Sequence, residues 1–125
     1  MSDLSLQFEN TNAKFKPGET LSGLAGWRLD QPATSIDLRL FYYTEGKGTQ
    51  DVVVIHTTSF DNPPQRGSHP FQFQLPAAPY SFSGKLISLI WAIEMIVRPG
   101  NESTRLPFTL SSDGEEVVLG SATSK

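Results

Sequence analysis

The chain contains no cysteine, which removes disulfide scaffolds, thiolate zinc sites, iron–sulfur clusters and cysteine nucleophiles. It has only two histidines, His56 and His69, and neither has a close acidic or histidine partner in sequence to build a metal site. Charge does not cluster. The ten Lys and Arg residues are scattered singly against thirteen Asp and Glu, which argues against a nucleic-acid track or a polybasic membrane anchor. Long hydrophobic runs are missing as well. The longest, residues 86–97, is too short to span a bilayer and is interrupted by Ser88 and Glu94. The start, Met1-Ser2-Asp3-Leu4-Ser5-Leu6, lacks the basic then apolar pattern of a signal peptide, and Lys125 ends the chain without a prenylation cysteine. The expectation is a cytoplasmic protein with no cofactor, no nucleic-acid partner and no transmembrane segment, meeting membranes only through a partner.

What is present is a period of two. The 125 residues, with ten Gly and nine Pro, suit one domain with a real core. Leu4, Leu6 and Phe8 alternate with polar residues, and so do Leu21, Gly23, Ala25, Trp27 and Leu29. Ile36, Leu38, Leu40 and Tyr42 continue the pattern against Asp37 and Arg39, and a Val/Ile/Thr-rich stretch from Asp51 to Phe60 follows a Glu45-Gly46-Lys47-Gly48 turn, as in a hairpin. Phe71 and Phe73 share a face. Ile87, Leu89, Trp91, Ile93, Met95 and Val97 form the longest apolar face, opposite Ser88, Ile90, Ala92, Glu94 and Ile96. Strands over residues 103–110 and 115–119 complete the series. No helical stripe of useful length occurs. The pattern predicts an all-β, immunoglobulin-like antiparallel β-sandwich of about seven to nine strands. Residues 1–119 form the domain and residues 120–125 a flexible tail.

Catalytic chemistry finds little support. No G-x-S-x-G elbow accompanies the histidines. Gly46-Lys47-Gly48-Thr49 looks like a fragment of a phosphate loop but lacks the upstream glycine and the following helix. Asp113-Gly114-Glu115-Glu116 lacks the alternating carboxylates of a calcium loop. Glu94 breaks an apolar strand, and its parity sends it to water or to a neighbouring cation rather than into the core. Phe41 has the parity of Asp37 and Arg39, and Tyr42 and Tyr43 point opposite ways, so exposed aromatics are expected here.

Three segments, in order, carry a family resemblance. Phe15-Lys16-Pro17-Gly18-Glu19-Thr20-Leu21-Ser22-Gly23 resembles the early signature of arrestin-like domains. Ile36-Asp37-Leu38-Arg39-Leu40 looks like the paired strand that follows. His69-Pro70-Phe71-Gln72-Phe73-Gln74-Leu75-Pro76, then Tyr80-Ser81-Phe82-Ser83-Gly84 and the strand through Trp91-Ala92-Ile93-Glu94, is similar to the family's later block. The agreement covers roughly residues 4–110 and implies a single arrestin-like lobe, as in arrestins, the related retromer subunit and bacterial sporulation-control proteins. Those relatives are non-enzymatic adaptors or trafficking scaffolds. They use two lobes in one chain where these 125 residues hold one, so the fold and the adaptor class carry over and the phosphate-sensing or receptor-binding residues do not.

The functional expectation is therefore a non-enzymatic protein-interaction module with an unidentified protein partner, and a homodimer that stands in for the second lobe. Binding would use a sheet edge by strand addition or the loops at residues 45–48, 61–68 and 76–84. The partner-binding candidates are Phe41, Tyr43, Lys47, Arg66, Tyr80 and Phe82. The alternative is a small-ligand or carbohydrate-binding sandwich that uses exposed Phe41, Tyr42 or Tyr43. A hydrolase built on His56 or His69 would need a serine and a carboxylate beside the ring.

Overall fold

Alternating apolar residues from two facing sheets meet in one core. A computed structural model describes residues 2–10, 12–46, 50–84, 87–111 and 117–118. Lys47, residues 112–116 and 119, and the tail expected over residues 120–125 lie outside the described residues. The strands are β1 (Asp3–Phe8), β2 (Lys14–Phe15), β3 (Thr20–Arg28), β4 (Ser35–Gly46), β5 (Val52–Asp61), β6 (Arg66–Gln74), β7 (Phe82–Ser83), β8 (Ile87–Arg98), β9 (Glu102–Leu110) and β10 (Val117–Val118). Three of them, β2, β7 and β10, are two-residue bridges, which leaves seven long strands, as the alternation predicts. No described helix is long and apolar enough to cross a membrane.

The smaller sheet has the order β1-β3-β6, and the larger runs β10-β7-β8-β4-β5 with β9 on β8 and β2 on β9. The long pairings are antiparallel. Two short ones, β2 with β9 and β7 with β10, are parallel, a detail that two-residue strands leave no pattern for in the sequence. The loop expected over residues 61–68 is shorter than its Pro-rich composition suggests. Residues 66–68 already pair with β3, and β5 runs on to Asp61.

Leu21, Ala25 and Trp27 of β3 face Ile36, Leu38 and Leu40 of β4 and Trp91, Ile93 and Met95 of β8 across the sandwich, all buried. One side is sealed by an edge-to-face trio, Phe8, Phe15 and Phe108, with ring centres 5.4–5.8 Å apart. Trp27 and Trp91 each anchor a loop, donating Nε1–H to the carbonyls of Pro64 (2.8 Å) and Pro79 (2.7 Å). The Pro17-Gly18 turn, with Gly18 at φ 78°, is held by Gly18 N–H donating to Leu75 O and Leu75 N–H donating to Glu19 O, at 3.1 and 3.0 Å. Two of the three segments that carry the resemblance thus touch each other at the end of β6.

Candidate functional site

The side opposite the aromatic trio ends differently. β5 is the terminal strand of the larger sheet, bonded to β4 along one edge only among the described residues. Every residue of β5 except Phe60 is exposed. Phe60 is the half-buried residue of the strand and packs on the core, with its ring 5.4 Å from Trp27 and stacked at 4.8 Å on His69. Beyond Phe60 the smaller sheet touches the inward side of the strand with the Phe73 ring beside His56 and leaves it exposed. His56 and Thr58 have the inward parity of their partners Leu40 and Leu38 and are nevertheless exposed. Among the described residues, most of the exposed large apolar side chains gather here: Val52 50%, Val53 41%, Val54 43% and Ile55 42%.

Edge strands usually carry charge, proline or a strong twist that blunts them. β6, one of the two edges of the smaller sheet, has Pro70 in its middle, where a ladder donor is missing. β5 holds neither proline nor a Lys, Arg, Asp or Glu from residue 52 to residue 60. Its one device is a register shift between Leu40 and Phe41, where Ile55 is the extra residue. Before that bulge, Thr44 N–H donates to Asp51 O at 2.9 Å. The antiparallel alternation then turns Val53 toward β4 and directs the N–H and C=O groups of Val52 and Val54 to the free edge.

The outer face of the larger sheet corrects the expectation of exposed aromatics. Phe41 is 1% exposed and Tyr43 8%, so neither is open to a ligand. They stack at 5.8 Å, and Arg105 reaches over the small side chain of Ala92 to place its guanidinium carbon 5.0 Å from the Phe41 ring centre and 4.7 Å from that of Tyr43. Glu94, on the outer face as its parity predicts, holds Arg105 at 3.7 Å. Tyr42 points the other way and rests 5.0 Å from Trp91.

Farther along the same face, Asp37 takes a hydrogen bond from Ser59 Oγ at 2.7 Å and from Arg98 Nε at 2.9 Å. Burial pushes the Asp37 carboxyl up. The Ser59 and Arg98 hydrogen bonds and the charges of Arg98 and Arg39 outweigh it and hold the group below the ordinary aspartate value. This network clamps the polar end of β5 to β4 and β8.

The remaining predicted partner residues do not form one surface. Arg66 begins β6 on the smaller sheet, opposite Arg28. Tyr80 is 38% exposed in the loop after β6, whereas Phe82 is half-buried and packs on the core. His56 sets its ring edge against Phe73, and the Nδ1 of His69 lies 2.6 Å from Pro70 O. The residues missed were Val52, Val53, Val54 and Ile55. Their signal was there: four β-branched residues stand in a row with no polar residue between them.

The crystal structure of Spo0M, a sporulation control protein from Bacillus subtilis, matches this chain with a TM-score of 0.64 and 23% sequence identity, over 89% of this chain and 49% of Spo0M. The fold is arrestin-like. The chain spans about half the length of Spo0M. A β-glucosidase from Listeria innocua, solved with gluconolactone, matches with a TM-score of 0.48 and 10% identity over 93% of this chain and 16% of the enzyme. No family model matches the chain, and no curated protein matches it. The arrestin-like lobe leaves β5 as its open edge.

Proposed function

We propose that this arrestin-like lobe is a non-enzymatic interaction module that works in the cytoplasm and binds a protein partner by adding that partner's strand to β5. The observation that carries the reading is the bare edge at Val52 and Val54, with backbone donors and acceptors directed outward and apolar side chains on both faces. Such an edge gives affinity through main-chain hydrogen bonds and specificity through alternate side chains. The neighbour of similar fold is described as a sporulation control protein.

The test is parallel capture from the native cell with the wild-type chain and with Val54→Lys, followed by amide hydrogen exchange on the recovered complex. The expected outcome is a partner retained by the wild-type chain, lost by the variant, and protecting the amides of residues 52–54. A partner held equally by both proteins, with β5 amides unprotected, overturns the reading.

A further inference from the structure

We propose that the strand received by β5 is a short extended segment with apolar, β-branched residues in its middle and a lysine or arginine near each end. This rests on the reading of β5 as the docking edge and specifies its partner. The middle of the segment follows from what it would lie beside. One face of it meets Val52 and Val54, which flank the Tyr43 and Phe41 positions on the outer face, and the other meets Val53. β-Branched side chains suit such pleated, half-buried neighbours.

The ends follow from charge. Asp51 and Asp61 bracket the strand, and both are exposed. No Lys or Arg lies between them. Arg39, on β4, sits in register between Thr57 and Glu94 on the outer face rather than along the free edge. A strand that covers β5 therefore meets a carboxylate at each end, about 33 Å apart at the usual rise per residue. Cations there are attracted and anions repelled.

The same charges argue against a second copy of this chain as the occupant. The antiparallel register that pairs all of residues 51–61 with a second copy is symmetric about His56. It brings Asp51 of each chain to the same end of the ladder as Asp61 of the other, on opposite faces because the bulge at Ile55 reverses the alternation. Two carboxylates at each end of the paired strands, with no Lys or Arg between them on β5, repel each other. The chain's formal net charge of −3 acts in the same direction.

The probe is a synthetic peptide of alternating valine and threonine with lysine at both ends, N-methylated on alternate residues so that it cannot stack on itself. Its counterpart carries glutamate at the ends. Binding to the full chain is read by titration calorimetry and by exchange of the Val52 and Val54 amides. The lysine peptide is expected to bind about tenfold more tightly than the glutamate peptide, with the preference weakened by salt. The Asp51→Lys, Asp61→Lys double variant, checked for an unchanged melting temperature, is expected to invert that preference. Equal binding of both peptides with the edge amides protected overturns the charge assignment and leaves β5 as the docking edge. Binding of neither, with the amides unprotected, overturns both. Self-association of the wild-type chain that protects the same amides shows a second copy on the edge and overturns the proposal.

Discussion

Arg105 lies over Tyr43, with its guanidinium carbon 4.7 Å from the ring centre, and this converts an outward-facing aromatic pair into a buried one. The side chain works as a lid because Ala92, between β9 and β4, is small enough to pass under it. Replacing it, as Arg105→Ala, should remove a cation–π contact of about 1 kcal/mol and uncover Phe41 and Tyr43. Thermal unfolding is expected to fall by about 4 °C, and tyrosine quenching by acrylamide to rise. Arg105→Lys should restore little, because a lysine ammonium cannot lie flat across two stacked rings. An unchanged melting temperature and unchanged quenching in Arg105→Ala would show that the lid contributes nothing.

Gly23 of β3 lies opposite Phe8 of β1. A Cβ there would run into the backbone carbonyl of Gln7 and lie 2.5 Å from the Phe71 ring. The carbonyl belongs to a paired strand and cannot step aside without breaking the ladder. Gly23→Ala is expected to cost about 3 kcal/mol, read as a shift in the urea midpoint, whereas alanine at most exposed strand positions costs far less. A midpoint within error of the wild type would mean that β1 can move away freely.

The Asp37 network makes a prediction about acid. Its carboxyl titrates below the ordinary aspartate value in the folded chain, so on acidification the unfolded chain takes up the proton first. The stabilisation is complete above the ordinary value and is lost as pH falls through the lowered one. Asp37→Asn should therefore melt below the wild type at neutral pH and approach it progressively below about pH 5. The pair is half-open to water, so the neutral-pH difference should be about 1 kcal/mol or less. A difference that stays constant down to pH 2 would show that the charge of Asp37 plays no part.

The architecture was legible because the core obeys alternation. Ile36, Leu38 and Leu40 of β4 and Trp91, Ile93 and Met95 of β8 are buried as their parity requires. The turn and strand-end motifs were legible too, since Pro17-Gly18-Glu19 and Leu75 meet through two backbone hydrogen bonds. The candidate site was less so, for two physical reasons. Parity puts Phe41 and Tyr43 on the outer face but does not show that Arg105, more than sixty residues later, covers them. Nor does a β-branched run show whether the second sheet extends over it. Val52, Val53, Val54 and Ile55 have the composition of a buried strand and the exposure of an edge.

That exposure makes a last, stability-based prediction. If Val54 contributes to an open edge and not to the core, Val54→Lys should change the unfolding free energy by only about 0.5 kcal/mol, as at an ordinary surface position. The same change at Ile93, on the next strand but one and fully buried, should prevent folding. A lysine at position 54 is also the kind of residue that natural edges use to refuse neighbours. Val54→Lys should therefore reduce light scattering during mild heating while leaving the melting temperature nearly unchanged. A large loss of stability in Val54→Lys would place Val54 in the core's cooperative unit and remove the basis for treating β5 as a free edge.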